Sequence, residues 1–169
     1  MNYLENPMLE KNHIRLEPLS NKRHDDLVLA VQKDELWETW YTAIPKPEYM
    51  LTEIKQHIKL HSENKSVPWA VIDTNSGKAT HSTKTNPAAK LLLLTRAFED
   101  LNCIAVEFRT HWLNQQSCAA IEKLGAKQDG ILRNHRIVEN GTLRYTVVYS
   151  IIESEWPTVK FRLQERLKS

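Results

Sequence analysis

The chain has 169 residues, of which 41% are hydrophobic and 26% charged, which is usual for one globular domain. A chain of this length can bury enough apolar surface to fold without a disulfide. Lysine and arginine number 23 against 21 acidic residues, with no long block of either sign, so nucleic-acid binding through a basic surface is not expected. The longest apolar run, residues 91–94, is too short to span a membrane, and the first ten residues lack signal-peptide features. We therefore expect a single domain over residues 1–169, located in the cytoplasm and not in a membrane.

The N-terminal part of the chain predicts a strand followed by helices. Residues 13–19 alternate apolar and polar side chains, as in a strand, and Ser20 or Asn21 can cap the helix that follows. Another helix is predicted to open at Thr52 and Glu53. Between these helices, Trp37, Trp40 and Tyr41 precede a break rich in proline, where aromatic residues either enter the core or line a substrate groove.

Metal and thiol chemistry have little support in the sequence. His57 and His61 have the i, i+4 spacing of a zinc pair, but no third ligand is nearby, so we predict solvated helix histidines and no metal. Cys103 and Cys118 lack zinc or CxxC spacing and are predicted to be buried thiols. A catalytic Cys118 in the first turn of a helix is the alternative, although no matching base is evident.

The middle of the chain predicts a hairpin and an apolar helix. Residues 67–72 have strand composition, and residues 73–78 are dense in turn formers. Asn86-Pro87 then has the pattern of a helix cap with proline in the first turn, before an apolar helix that runs to Leu101.

A strand that leads into a helix is the most informative pattern of the chain. Residues 103–109 read as a strand, Asn114 can cap the following helix, and Gly125 stands where a helix usually ends. Backbone amides at a helix N-terminus attract anions, so Asn114 and Ser117 are candidate ligand contacts. Plain helix capping is the more frequent meaning of such a pair.

The C-terminal part predicts a hairpin and a final helix. Two β-rich segments flank Asn140-Gly141, which favours a type I′ turn. Glu155-Trp156-Pro157 then indicates the start of a helix.

Three groups of residues in the second half of the chain carry a family resemblance. They are residues 107–110 (EFRT), residues 114–126 with Asn114, Ser117, Ala120, Ile121, Leu124, Gly125 and Ala126, and residues 129–133 with Asp129, Gly130, Leu132 and Arg133. Together they resemble the GNAT-fold acetyltransferases, in the branch that includes the ribosomal-protein alanine N-acetyltransferases. The resemblance implies an α+β fold, in three α/β/α layers, with a mixed, mostly antiparallel central sheet flanked by helices.

One region departs from the family pattern. The resemblance implies two long strands before the helix at Asn86, but residues 78–86 are too few for both, so part of the sheet is missing. The family's phosphate-loop pattern reads His81, Lys84 and Asn86 here, and Lys84 replaces a glycine that allows close backbone approach. A degraded phosphate loop and a plain polar connection are both open interpretations.

The resemblance implies N-acetyl transfer from acetyl-CoA to a small-molecule or peptide amine, and it suggests site residues by position. Asn114 would contact the pantetheine of the coenzyme, and Ser117 would be the acid that protonates the thiolate. The phosphate cradle would comprise Lys84, Thr85, Asn86, Ala88 and Ala89, and the acceptor site would comprise Trp37, Trp40, Tyr41 and Ile44. No base is assigned, because the strand that would carry it is missing.

Two alternatives remain open. A catalytically impaired GNAT-fold protein could serve in binding or assembly, as the short middle and the lost glycine suggest. A second chain could instead complete the sheet, because residues 67–72 and 104–108 would otherwise leave unpaired strand edges. We therefore expect a homodimer.

Overall fold

The computed structural model describes residues 3–32, 36–38, 41, 44–80, 86–138 and 140–168. These residues fall into two compact units, Met1–Leu93 and Leu94–Ser169. No helix in these ranges is both long and apolar enough to cross a membrane.

The first unit contains a four-stranded antiparallel sheet in the order β1-β2-β3-β4. Its strands are β1 (Leu9–Lys11), β2 (Ile14–Pro18), β3 (Trp69–Asp73) and β4 (Lys78–Ala79). Two helices belong wholly to this unit, α1 (His24–Gln32) and α2 (Met50–Ser62), and α3 (Asn86–Thr95) begins in it. Short 3₁₀ turns occupy Asn21–Arg23, Leu36–Glu38 and Pro47–Tyr49.

The first strand was not predicted. Asn12 and His13 connect β1 to β2 with φ angles of 50° and 63°, the left-handed pair that a tight two-residue hairpin requires. The predicted strand over residues 13–19 is confirmed as β2, in which Ile14 and Leu16 are buried. The sheet therefore begins one strand earlier than the alternating pattern indicated.

Two apolar clusters belong to the core of the first unit. Val31, Met50 and Ile54 join α1 to α2, and Ala70, Ile72 and Ala79 lie on the hairpin of β3 and β4. Leu19 and Leu27 pack against both clusters and so link the helices to the sheet.

The hairpin between β3 and β4 is present, but its second strand is very short. The Gly77 amide donates to the Asp73 carbonyl oxygen at 2.8 Å, and Gly77 has a φ of 69°. Strand β4 comprises only Lys78 and Ala79, which pair with Asp73 and Ile72. The sheet is therefore shortened at the place where the sequence predicted missing strands.

The second unit contains a three-stranded antiparallel sheet in the order β5-β7-β6. Its strands are β5 (Ala105–His111), β6 (Lys127–Ile137) and β7 (Leu143–Ile152). The helices are α4 (Gln115–Leu124) and α5 (Trp156–Arg166). A π-helical turn at Arg96–Asp100 comes before β5, and a 3₁₀ turn at Glu153–Glu155 comes directly before α5. The described residues thus form five α-helices and two antiparallel sheets, which confirms the predicted α+β class.

The turn between β6 and β7 corrects one prediction. The Val138 amide donates to the Thr142 carbonyl oxygen at 3.0 Å, so three residues close the hairpin instead of two. Gly141 has a φ of 80° and donates its amide to the Val138 carbonyl oxygen at 2.8 Å, so Asn140 and Gly141 are not the two central residues of a type I′ turn. The Asn140 side chain instead accepts hydrogen bonds from the Thr142 amide and hydroxyl.

Candidate functional site

The turn from β5 into α4 places the two residues that the sequence singled out. The Asn114 amide donates to the His111 carbonyl oxygen at 2.8 Å, which closes the turn. The Asn114 side chain then accepts a hydrogen bond from the Ser117 amide at 3.0 Å, and its carbonyl accepts one from the Cys118 amide at 3.0 Å. The predicted cap is confirmed, and it fixes Ser117 in the first turn of α4.

The first turn of α4 still has groups that a ligand can use. The Gln115 amide donates to the Leu113 carbonyl oxygen, and its side chain donates to the Trp112 carbonyl oxygen. The Gln116 amide is the first-turn donor that no acceptor in the described part of the chain satisfies. The Ser117 hydroxyl is half-buried and likewise forms no hydrogen bond to a described residue. Both groups lie at the positive end of the helix dipole.

His111 holds this turn in shape, a role that the sequence analysis missed. It is the last residue of β5 and only 2% exposed, and its Nδ1 accepts a hydrogen bond from the Leu113 amide at 3.1 Å. Burial, and then the positive charge of Arg144, lower the pKa of His111. A neutral imidazole is the form that can accept the Leu113 hydrogen bond. The sequence did contain a signal for this role, because His111 is a polar residue between a strand and a helix cap.

A buried hydroxyl supports α4 from β7. The Tyr149 hydroxyl donates to Glu122 Oε1 at 3.0 Å. Burial, followed by hydrogen bonds with Cys118 and Glu122, raises the pKa of Tyr149, so its hydroxyl stays protonated. Cys118 is a buried free thiol, as predicted, and Cys103 is a half-buried free thiol.

At the other end of α4, Gly125 ends the helix with a φ of 107°. A Cβ placed there would lie 3.0 Å from Cγ2 of Val159 on α5. Glycine is therefore needed both for its backbone conformation and for the close approach of the two helices.

The predicted phosphate cradle is only partly described. Lys84 and Thr85 lie outside the described residues. Asn86 is exposed at the start of α3, while the methyl groups of Ala88 and Ala89 are buried, so these two residues could offer a phosphate only backbone amides. Their role remains a prediction.

The predicted acceptor residues lie in the first unit. Trp37 and Ile44 are partly buried and pack against the cluster of Val31, Met50 and Ile54. Tyr41 is half-buried, and Trp40 lies outside the described residues. Trp37 and Ile44 thus contribute to the core, and a contact with the acceptor remains a prediction for all four residues.

The histidine pair on α2 has protein partners. His57 Nε2 lies 3.1 Å from Glu53 Oε1, and His61 Nε2 lies 3.0 Å from the Leu4 carbonyl oxygen. Within the described ranges, no three His, Cys, Asp or Glu side chains are grouped so that they could hold a metal ion.

This fold, with a capped helix after β5, defines a class of protein: it is the fold of the GNAT-family acetyltransferases. The chain is 25% identical to a GCN5-related N-acetyltransferase from Brucella melitensis, with a TM-score of 0.82 over 96% of this chain and 86% of that one. It is 29% identical to a candidate acetyltransferase from T. thermophilus, with a TM-score of 0.79 over 95% and 96% of the two chains. These similarities confirm the resemblance that the sequence motifs indicated and support an acetyltransferase in general terms.

A ribosomal-protein acetyltransferase shares the fold of the chain. The ribosomal-protein-S5-alanine acetyltransferase from Vibrio fischeri matches with a TM-score of 0.64, over 89% of this chain and 98% of that chain. Its identity is 14%, so this likeness shows the shared fold alone. No protein-family model matches the chain. No curated protein matches its sequence significantly.

Proposed function

We propose that the chain is an N-acetyltransferase that moves the acetyl group of acetyl-CoA to an amine, on a protein N-terminus or on a small molecule. The observation that carries the proposal is the first turn of α4, where Asn114 caps the helix and leaves the Ser117 hydroxyl half-buried and available. The N-acetyltransferase from Brucella melitensis supports the reaction class. The family resemblance of the sequence motifs suggests a protein N-terminus as one form of acceptor.

The chemistry requires an amine nucleophile and a protonated leaving group. The neutral amine attacks the thioester carbonyl, a C–N bond forms, the C–S bond breaks, and the attacking nitrogen loses a proton to solvent. Ser117 would donate its hydroxyl proton to the departing thiolate, which makes thiol the product, and would regain a proton from the solvent that received the amine proton. Asn114 would contact the pantetheine, and the positive end of α4 would stabilise negative charge on the reacting group.

The remaining assignments follow from matched positions. Coenzyme phosphates would be held near the start of α3 by Lys84, Thr85, Asn86, Ala88 and Ala89. The acceptor amine would be bordered by Trp37, Trp40, Tyr41 and Ile44.

The two free cysteines support a reducing compartment, so a cytoplasmic location belongs to the same proposal.

A second candidate function is a binding or assembly protein with impaired catalysis. The observation that favours it is β4, which has only two residues where the resemblance implies a long strand with coenzyme contacts. Such a chain would keep the fold while binding acetyl-CoA weakly or not at all.

The two candidates differ in how they respond to coenzyme. A ligand that binds only the native state raises its apparent stability. We expect about 1 mM acetyl-CoA to raise the Tm of the parent by only about 1–3 °C, because Lys84 lacks the backbone freedom of glycine. Lys84→Gly should increase this shift, whereas Lys46→Gly, which removes another loop lysine, should not.

Enzymatic transfer is then assayed with a panel of peptide N-termini and small amines, using release of free CoA thiol as the readout. Transfer to any amine supports the acetyltransferase. No Tm shift and no transfer in either the parent or Lys84→Gly would favour the binding protein.

We also propose that the chain forms a homodimer. The outer edge of β3 is paired with β4 only at Ile72 and Asp73, and β5 is an edge strand of its sheet. Exposed strand edges are usually paired or covered, and a second copy could do so. Light scattering over a wide concentration range should give a dimer mass, and a monomer mass throughout would contradict the proposal.

A further inference from the structure

Two arginines face each other across the sheet of the second unit. Arg136 on β6 pairs directly with Arg144 on β7, and like charges in this position destabilise an antiparallel ladder. No carboxylate of the described residues forms an ion pair with either arginine. By contrast, Arg109, on the same face of the sheet, is paired with Glu107. Two cations that are kept together without a counter-charge from any described residue indicate a site for an anion.

A bulge in β6 creates this pair. Leu132 pairs with Thr146 and Arg136 with Arg144, so β6 advances four residues where β7 advances two. Asn134, inside the bulge, has a φ of 51°. Bulges redirect side chains and are frequent next to active sites. Without these extra residues, Arg136 would not lie opposite Arg144.

Hydrogen bonds hold Arg144 in one orientation. Its Nε donates to Thr146 Oγ1 at 3.1 Å, and His135 Nδ1 lies 3.0 Å from the same oxygen. The terminal nitrogens of the guanidinium make no hydrogen bond to a described residue, so they are available for a two-point contact with a carboxylate. Arg144 is half-buried and Arg136 is exposed, which makes the pair reachable but partly shielded from water.

The pair lies beside the turn that carries the candidate catalytic residue. Thr146 pairs with His111, the last residue of β5, and the Trp112 amide donates to the Tyr145 carbonyl oxygen at 3.1 Å. The positive charge extends to this point, since Arg144 lowers the pKa of His111. Burial and the charge of Arg136 in turn lower the pKa of Arg144. An anion bound here would therefore lie on the face of the sheet that carries His111, beside the turn between β5 and α4.

We propose that Arg136 and Arg144 bind a carboxylate carried by the acceptor amine, so that the enzyme prefers acidic peptide N-termini or small amino acids. This inference rests on the proposed acetyl transfer. Leu132, on the same face and 40% exposed, provides an apolar neighbour for the carbon skeleton of such a ligand. The two arginines would then determine which amines are presented to the coenzyme.

Binding of matched peptides tests the proposal without requiring turnover. Two peptides begin with alanine, carry a fluorophore at the C-terminus, and differ only in having Glu or Gln at the second and third positions. Fluorescence anisotropy should show at least about tenfold tighter binding of the Glu peptide, as expected for one charge-assisted contact. Arg136→Gln and Arg144→Gln should each remove most of this preference. Arg133→Gln, which removes an exposed arginine of the same strand, should retain it.

A stability measurement separates binding from folding. Arg136→Gln relieves the repulsion, so its Tm should be equal to or about 1–3 °C above that of the parent. Lost preference in a variant that is at least as stable supports a binding role. Preference that survives both variants would overturn the proposal. The proposal would also be overturned if the variants lost affinity for acetyl-CoA but kept the peptide preference, because the arginines would then bind the coenzyme instead of the acceptor.

Competition distinguishes the two sources of carboxylate. A small amino acid is the acceptor if two results are obtained together. The Glu and Gln peptides bind the parent with equal affinity, and free glutamate competes with either peptide in the parent but not in Arg144→Gln. Absence of both the peptide preference and glutamate competition would overturn the proposal. Charge-dependent binding without any acetyl transfer would refute the acetyltransferase while the carboxylate site stands.

Discussion

Replacing Ser117 by alanine is expected to lower the turnover of acetyl transfer by about 10²- to 10⁴-fold, the usual contribution of a positioned proton donor. The Ser117 hydroxyl makes no hydrogen bond to a described residue, and the Asn114 cap uses the Ser117 amide instead of its side chain. The substitution should therefore change the free energy of unfolding by at most about 1 kcal/mol. Affinity for acetyl-CoA should stay nearly unchanged, because the hydroxyl matters mainly as the thiolate leaves.

The measurement is release of free CoA thiol by the parent and by Ser117→Ala, with the best amine of the panel. Ser62→Ala is a matched control, since Ser62 is a helix serine of α2 whose hydroxyl donates to the Lys59 carbonyl oxygen. It should keep full turnover. If the parent is active and Ser117→Ala keeps the full rate, Ser117 is not the acid.

The largest loss of stability is expected from Trp156→Ala, at about 3–5 kcal/mol. Trp156 begins α5 and is only 5% exposed, and its ring stacks on Phe98 with a centroid distance of 5.2 Å. The indole nitrogen also donates to Glu99 Oε1 at 2.7 Å, so the residue joins α5 to the π-helical turn. Alanine would leave a cavity and remove the hydrogen bond together.

Trp156→Phe separates these two contributions. It keeps an aromatic ring against Phe98 but loses the hydrogen bond to Glu99, and we expect a loss of about 1–3 kcal/mol. Phe161→Ala, on the same helix but 63% exposed, should cost less than about 1 kcal/mol. Urea unfolding gives the values, and a loss below about 1 kcal/mol for Trp156→Ala would contradict this account of the packing.

Features coded by local chemistry were predictable from the sequence. The cap at Asn114 and the left-handed end at Gly125 depend on the conformations of single residues, and both are confirmed. The hairpin of β6 and β7 was also predicted, but its turn type was wrong. Its Asn-Gly pair occupies the end of a three-residue loop. The length of this loop depends on the register of the two strands, which the dipeptide alone does not determine.

Features that depend on pairing were not predictable. Strand β1 has one apolar residue in three, so its periodicity carries no signal, and it exists because it pairs with β2. In the same way, the opposition of Arg136 and Arg144 depends on the bulge in β6, which sequence spacing does not reveal. The role of His111 likewise depends on its burial and on the turn that follows it.

The end of α4 also constrains how this protein can evolve. In the genetic code, a single base change in a glycine codon either is silent or gives a residue with a Cβ or a stop. Each such residue at position 125 would adopt a φ of 107°, which L residues rarely do, and would place its Cβ 3.0 Å from Val159 Cγ2. A change at Val159 could relieve the contact but not the backbone strain. Single substitutions at Gly125 are therefore expected to destabilise the protein, whereas exposed positions of the same helix can be substituted at little cost.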